Sequence, residues 1–305
     1  MRSMLSKFVR FGTLVVLAAS TLGTGTTVQA QATLRWKFKE GEKLSYATET
    51  VQKQAFNVNG MDVETTMNQT MEMSWSVQTV QDGKAAIVQK FDRVRQKMES
   101  LFGSYDYDSK DGKPPEGPIG EIVGPMLDAM AGAEFRFSMD GQGDISDVKL
   151  AEKLVTALRN NPAAAQMGAM FSEEGLKNMV QQSAATFPKE ALTKGKSWNK
   201  KVELKLPFGK MTMDNTFTYQ GPETRNGAAL EKIELKAALS IEPDPNAPID
   251  LKIKSSDVKG AIYFDNVAGH VVETTTNQKM EMEISAMGNT FNTTQDQTTT
   301  MKLAR

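Results

Sequence analysis

Met61 to Val80 reads MDVETTMNQTMEMSWSVQTV, and its alternation decides the fold. Met61, Val63, Met67, Met71, Met73, Trp75 and Val77 fall on one side of an extended chain, while Asp62, Glu64, Asn68, Glu72, Ser74 and Gln78 fall on the other. Successive side chains of a strand point to opposite faces of its sheet, so a period of two marks a strand with one apolar face. Twenty residues at about 3.3 Å each would span on the order of 60 Å. Few strands run that far without bending, and the pattern predicts a bulge and strong curvature, as in the wall of a barrel or half-barrel.

The same period extends outward in both directions. Lys43 to Val58 alternates, and Asn59-Gly60, two residues that accept positive φ, joins it to the first stretch as a hairpin. Leu34 to Phe38 reads as a further short strand before it, and Asp82-Gly83 turns the chain into a strand over Lys84 to Ser100. The period returns with Trp198, Val202, Leu204, Leu206 and Phe208; Gly209-Lys210 is read as a turn, and Met211, Met213, Phe217 and Tyr219 share the face of the returning strand. Asn226-Gly227 turns into a strand carrying Ile233 to Ile241, and Leu251 to Phe264, His270 to Ala286 and Thr290 to Leu303 complete the series.

Between these β-rich parts the pattern changes. Asp106 to Gly120 is a charged, Gly/Pro-rich connection, and Ile119 to Met130 spaces its apolar residues as a helix does. Phe135 and Phe137 lead into a hairpin turn at Asp140 to Gly143; Val148 to Arg159 is again helical in spacing and stops at Asn160-Asn161-Pro162. Ser172 is placed to cap a last helix running to about Ala184. The fold expected is mainly β (α+β): long curved antiparallel strands in one or two half-barrel-like sheets, with a helical insert at about 118–184. The domain reading is a signal peptide over 1–30, a first β module over 31–117, a helical insert with a β-hairpin over 118–197, and a second β module over 198–305.

Gly60 to Ser76 and Gly269 to Ser285 share 11 of 17 residues without a gap, each beginning at a turn glycine. Face parity is kept, so Met71, Met73 and Trp75 correspond to Met280, Met282 and Ile284. This favours a duplication, giving two related modules or two walls of one pseudo-symmetric barrel. The pairs Met71/Met73, Met211/Met213 and Met280/Met282 each set two thioethers side by side on a strand face. Without a cysteine, or a histidine within any pair, copper is a poor reading; methionine as adaptable apolar filling is a better one. Such walls suit varied apolar shapes. The ligand-lining residues expected on this ground are Met71, Met73, Trp75, Met211, Met213, Phe217, Met280, Met282 and Ile284.

Composition removes most other chemistry. The 305 residues include no cysteine and one histidine, His270, and 36 basic residues balance 37 acidic ones. Disulfides, thiol nucleophiles and thiolate metal sites are therefore absent, and no clustered basic surface for nucleic acid appears. Asp140-x-Gln142-x-Asp144 begins like a calcium loop but lacks glycine at the sixth position and an acid at the twelfth, so a hairpin turn is the better reading. No serine elbow accompanies His270, and no metal or cofactor is expected. Arg2, Lys7 and Arg10 precede an apolar run from Phe11 to Leu22 and small residues at Val28-Gln29-Ala30, the pattern of an export signal cleaved after Ala30. Its removal leaves 33 basic against 37 acidic residues, and no second run is long enough to span a membrane. The protein is expected to be soluble in the periplasm or outside the cell.

Phe187-Pro188-Lys189 followed by Lys194-Gly195-Lys196-Ser197-Trp198, and Tyr263-Phe264-Asp265 followed by Gly269, carry a resemblance. The chain looks like a broad group of uncharacterised exported bacterial β-rich proteins, in which a glycine-x-serine-tryptophan stretch opens a second β module. The resemblance implies a fold and a compartment and no active site. In architecture the chain is also similar to the half-barrel carriers that shuttle lipoproteins across the periplasm. The function expected is a non-enzymatic exported binding or scaffold protein for a lipid, another hydrophobic molecule or an envelope protein. The alternatives are a carboxylate-based hydrolase of extracellular polymer and a structural cell-envelope protein.

Overall fold

A computed structural model describes residues 31–304 apart from 59–60, 161–171, 207, 246, 248 and 287–288. The export signal, the Asn59-Gly60 turn and the Asn161-Pro162 stop therefore lie outside the described residues. Among the described residues twelve strands and three helices follow in order: β1 Lys43–Val58, β2 Met61–Gln81, β3 Lys84–Ser100, β4 Gly103–Asp108, α1 Gly117–Met130, β5 Glu134–Asp140, β6 Ile145–Lys149, α2 Glu152–Asn160, α3 Glu173–Gln182, β7 Ser197–Leu206, β8 Gly209–Arg225, β9 Ala228–Pro243, β10 Ile249–Asp265, β11 His270–Ala286 and β12 Asn289–Leu303. All strands join one antiparallel sheet in the order β6-β5-β3-β2-β1-β12-β11-β10-β9-β8-β7, with β4 paired to the far half of β3. The sheet is open, with β6 and β7 at its edges, and the first and last strands meet at its centre.

The alternation fixes one face throughout. Leu44, Tyr46 and Thr48 of β1 oppose Trp75, Met73 and Met71 of β2, and Thr48 opposes Met301 of β12. The predicted bulge is present: the β2–β3 register shifts between Glu72 and Met73 and again between Val77 and Thr79. Asp82-Gly83 and Asn226-Gly227 turn with positive φ at both residues, as the sequence predicts.

The sheet curls until its two wings share a core. Val77, Ile87, Phe137 and Met139 from one wing pack in one cluster with Phe217, Tyr219, Ile233, Ile262 and Phe264 from the other. Leu34, Trp36, Phe187 and Leu192 fill the space between them, closing this end of the curl. Trp36 touches Phe38, Trp75 and Phe264 with ring centroids 5.7–6.1 Å apart, and its indole Nε1 donates to the Ala185 carbonyl at 2.9 Å. Leu34 to Phe38 is not a strand, contrary to expectation. Its backbone bonds instead to two turns of opposite wings, Trp36 N to Gly141 O and Lys37 N to Gly269 O. The apolar alternation there serves a strap over the core rather than a ladder. Gly269 has φ +82°, and a Cβ there would lie 2.5 Å from the Lys37 backbone nitrogen, so the turn glycine also admits the strap.

A second cluster lies on the same inner face of the β2–β5 wing. Phe91, Val94, Tyr105 and Tyr107 pack beneath Leu127 and Ala129 of α1 and Leu154 and Leu158 of α2. Val148 belongs to β6, so the helix read from Val148 begins later, at Glu152. Ser172 caps α3 as expected, its Oγ accepting from Gly175 N at 3.0 Å. This helix packs against both edge strands, β6 and β7. The turn read at Gly209-Lys210 comes earlier, because β8 already begins at Gly209. β4, missed in the sequence, pairs with β3 through a segment whose charges hid its buried Tyr105 and Tyr107.

Candidate functional site

The nine residues expected to line a ligand surface separate into two groups. Met71 and Met73 pack against the cluster under α1 and α2, Trp75 packs in the shared core and donates from Nε1 to Gln89 Oε1 at 2.9 Å, and Phe217 is buried and stacked on Trp198. These four take part in the packing of the buried clusters. Met211, Met213, Met280, Met282 and Ile284 lie on the same face of the other wing, half-buried, and belong to neither buried cluster.

Register places more apolar side chains beside them. Val202 and Leu204 of β7 oppose Met213 and Met211 of β8, which oppose Leu239 and Ile241 of β9. Ile253 and Leu251 of β10 oppose Met282 and Ile284 of β11, and Ile284 opposes Phe291 of β12. A bulge between Ile253 and Ser255 brings the apolar residues of β10 onto this face. Among the described residues β9 and β10 pair only from Val258/Ala237 to Phe264/Glu231. Beyond that point the wall divides into a β7–β9 leaf and a β10–β12 leaf, each with an apolar inner face. The opposite face of the same strands carries Lys201, Glu203, Asp214, Lys252, Glu281 and Glu283, with ion pairs such as Lys201–Glu203 at 2.9 Å.

Two polar features interrupt the inner face, and neither was singled out from the sequence. Along its centre runs a ladder in which Gln295 Nε2 donates to Gln297 Oε1 at 3.1 Å, Gln297 Nε2 donates to Thr299 Oγ1 at 3.2 Å, and Thr299 meets Thr50 at 3.2 Å. On β7, Lys200 is the one charged residue among Trp198, Val202, Leu204 and Leu206, opposite the buried Asn215. The same period of two that identified the wall makes Lys200 legible as its exception. A groove of about 530 Å³ lies mostly on the opposite face, between Lys53, Glu64, Asp257, Lys279, Glu281 and Asp296. Of the nine expected residues only Met280 borders it, and across it Lys279 pairs with Asp296 at 3.3 Å.

Asp108 is held at about 2 by the hydrogen-bonded Arg93 guanidinium, and Glu223 and Glu283 are lowered by Lys232 and Lys254. Among the described residues, the carboxyls with a displaced pKa are displaced downward by a basic neighbour. Asp140 Oδ1 accepts from Gln142 N and Asp144 N at 2.8 and 3.0 Å, which makes that motif a turn. Among the described residues no group of three His, Cys, Asp or Glu side chains could hold a metal ion. None of the described helices is long and apolar enough to cross a membrane.

Solved structures similar to the chain share little sequence with it. Lipovitellin, in a structure titled for its lipid–protein interactions, aligns with 88% of this chain at 11% identity and a TM-score of 0.49, and the chain spans 26% of that protein's length. A DUF1329 family protein from Desulfovibrio piger aligns over 83% of each chain at 9% identity, with a TM-score of 0.16. An outer membrane lipoprotein-sorting protein domain from Vibrio parahaemolyticus aligns over 85% of this chain and 83% of its own at 11% identity, with a TM-score of 0.16. No curated protein matches the sequence. The family model that does match spans residues 82–303, from the turn before β3 to the end of β12, and by that match the chain belongs to the family of unknown function DUF6263.

Proposed function

We propose that the protein is an exported, non-enzymatic binding protein that holds a hydrophobic molecule on the inner face of β7–β11. One observation carries this reading: Met211, Met213, Leu239, Ile241, Met280 and Met282 form a half-buried apolar surface that lies outside both packed cores, while the back of the same strands is charged. A sheet face of this kind that stays in water exposes area worth roughly 25 cal/mol per Å² to any apolar molecule that covers it. Methionine suits the task because its unbranched thioether adapts to the shape presented. Export rests on the leader read over residues 1–30.

Titration with N-phenyl-1-naphthylamine, a neutral probe that fluoresces in apolar surroundings, tests the proposal. Saturable uptake is expected, abolished by Met213→Glu or Leu239→Glu with no loss of melting temperature. Native mass spectrometry of protein released gently from its own host should reveal a bound hydrophobic molecule. A clean apo mass together with no probe uptake would overturn the reading.

A further inference from the structure

We infer that Lys200 anchors the anionic head of a single-chain amphiphile whose tail lies along the apolar wall. The inference rests on the binding role proposed above and names the ligand class. Lys200 stands on the inner face of β7 at the boundary between two environments: Trp198 stacks on Phe217 over the packed core on one side, and Val202, Leu204 and Leu206 begin the wall on the other. Among the described residues no hydrogen bond or ion pair reaches its ammonium, although the side chain is half-buried. Some other lysines of this sheet do reach a carboxylate, as Lys232 does at 2.9 Å and Lys201 at 2.9 Å.

The neighbourhood is fixed. Asn215, only 8% exposed, donates from Nδ2 to the Lys200 carbonyl at 3.2 Å and ties the backbone of β7 at this point. Burial lowers the Lys200 pKa, with Asp144 the acid that opposes the shift. A half-buried cation with no carboxylate in direct contact is costly, and an anion arriving beside it offsets that cost. From Lys200 to Leu206 the wall runs about 20 Å at the rise of a strand, the length of a long acyl chain. Head and tail sites are therefore set end to end on one strand face.

Binding of cis-parinaric acid, a fluorescent fatty acid, is compared with binding of the neutral N-phenyl-1-naphthylamine for the wild type, Lys200→Met and Lys200→Arg. Lys200→Met should weaken the fatty acid about tenfold or more, the scale of one lost charged hydrogen bond, and leave the neutral probe unchanged. Lys200→Arg should keep most of the affinity. Equal fatty-acid affinity in the wild type and Lys200→Met overturns the anchor while the wall reading stands. If Lys200→Met self-associates on gel filtration yet binds as before, the lysine protects a sheet edge instead and the anchor is likewise overturned. Failure of the wild type to bind either probe removes the wall reading and the anchor with it.

Discussion

β2 and β11 carry nearly the same residues on the same face of one sheet, with opposite outcomes. All six are half-buried, but Met71, Met73 and Trp75 of β2 pack against the helices and the shared core, whereas Met280, Met282 and Ile284 of β11, on the divided wall, pack in neither cluster. Three antiparallel ladders separate the two strands, so the shared words run in opposite directions: one leads toward the closed end of the curl, the other away from it. Alternation decides which face a residue joins. What covers that face is decided by segments far away in sequence, here α1, α2 and the strap at Leu34 to Phe38.

Substitution at matched positions should expose this difference. Trp75→Ala removes a ring that touches Trp36, Tyr46 and Phe137 and should cost about 3–5 kcal/mol in urea unfolding, whereas Ile284→Ala should cost less than about 1 kcal/mol. Met73→Ala should lose about 2–3 kcal/mol by opening a cavity beneath α1 and α2. Its counterpart Met282→Ala should leave stability within about 1 kcal/mol and instead weaken uptake of the neutral probe, a contrast that a single plate of melting and titration curves would read.

Acid should weaken the covered wing through one ion pair. The Arg93 guanidinium makes a bidentate contact with Asp108, and the depressed Asp108 pKa means that the pair stabilises the fold above the ordinary carboxyl range, near pH 4, and ceases to do so as pH falls toward 2. Asp108→Asn should lower stability by about 1–2 kcal/mol at pH 7, and the gap to wild type should close by pH 2, measured by denaturant titration at each pH. The smallest effect belongs to the back of the wall. Lys279→Ala breaks an exposed pair with Asp296 and should change stability by no more than about 0.5 kcal/mol.

Much of the strand order was legible because β1 to β3 and β7 to β12 alternate over long runs and turn at Asp82-Gly83 and Asn226-Gly227. The strap was misread because Leu34 and Trp36 satisfy the same apolar period while the backbone partners of Trp36 and Lys37, Gly141 and Gly269, belong to turns more than 100 residues away. The candidate site was half legible for a related reason. A methionine on an inner face looks the same whether helices cover it or not, so Met71 and Met280 could not be told apart. Lys200 could have been found, since on β7 it alone breaks the apolar face with charge.

The central ladder has a consequence for how the molecule is made. Tyr46 pairs with Leu303, and β1 meets β12 along most of its length, so the middle of the sheet joins the two most distant parts of the folded chain. Contacts of such long sequence separation are slow to form, because loop-closure entropy is lost before they stabilise anything. During synthesis β1 keeps an open edge until residues 289–303 have emerged, and the wing that it shares with β2 and β3 cannot be completed alone. Until that last strand arrives, the centre of the sheet stays open and its two wings are joined only through the far side of the curl.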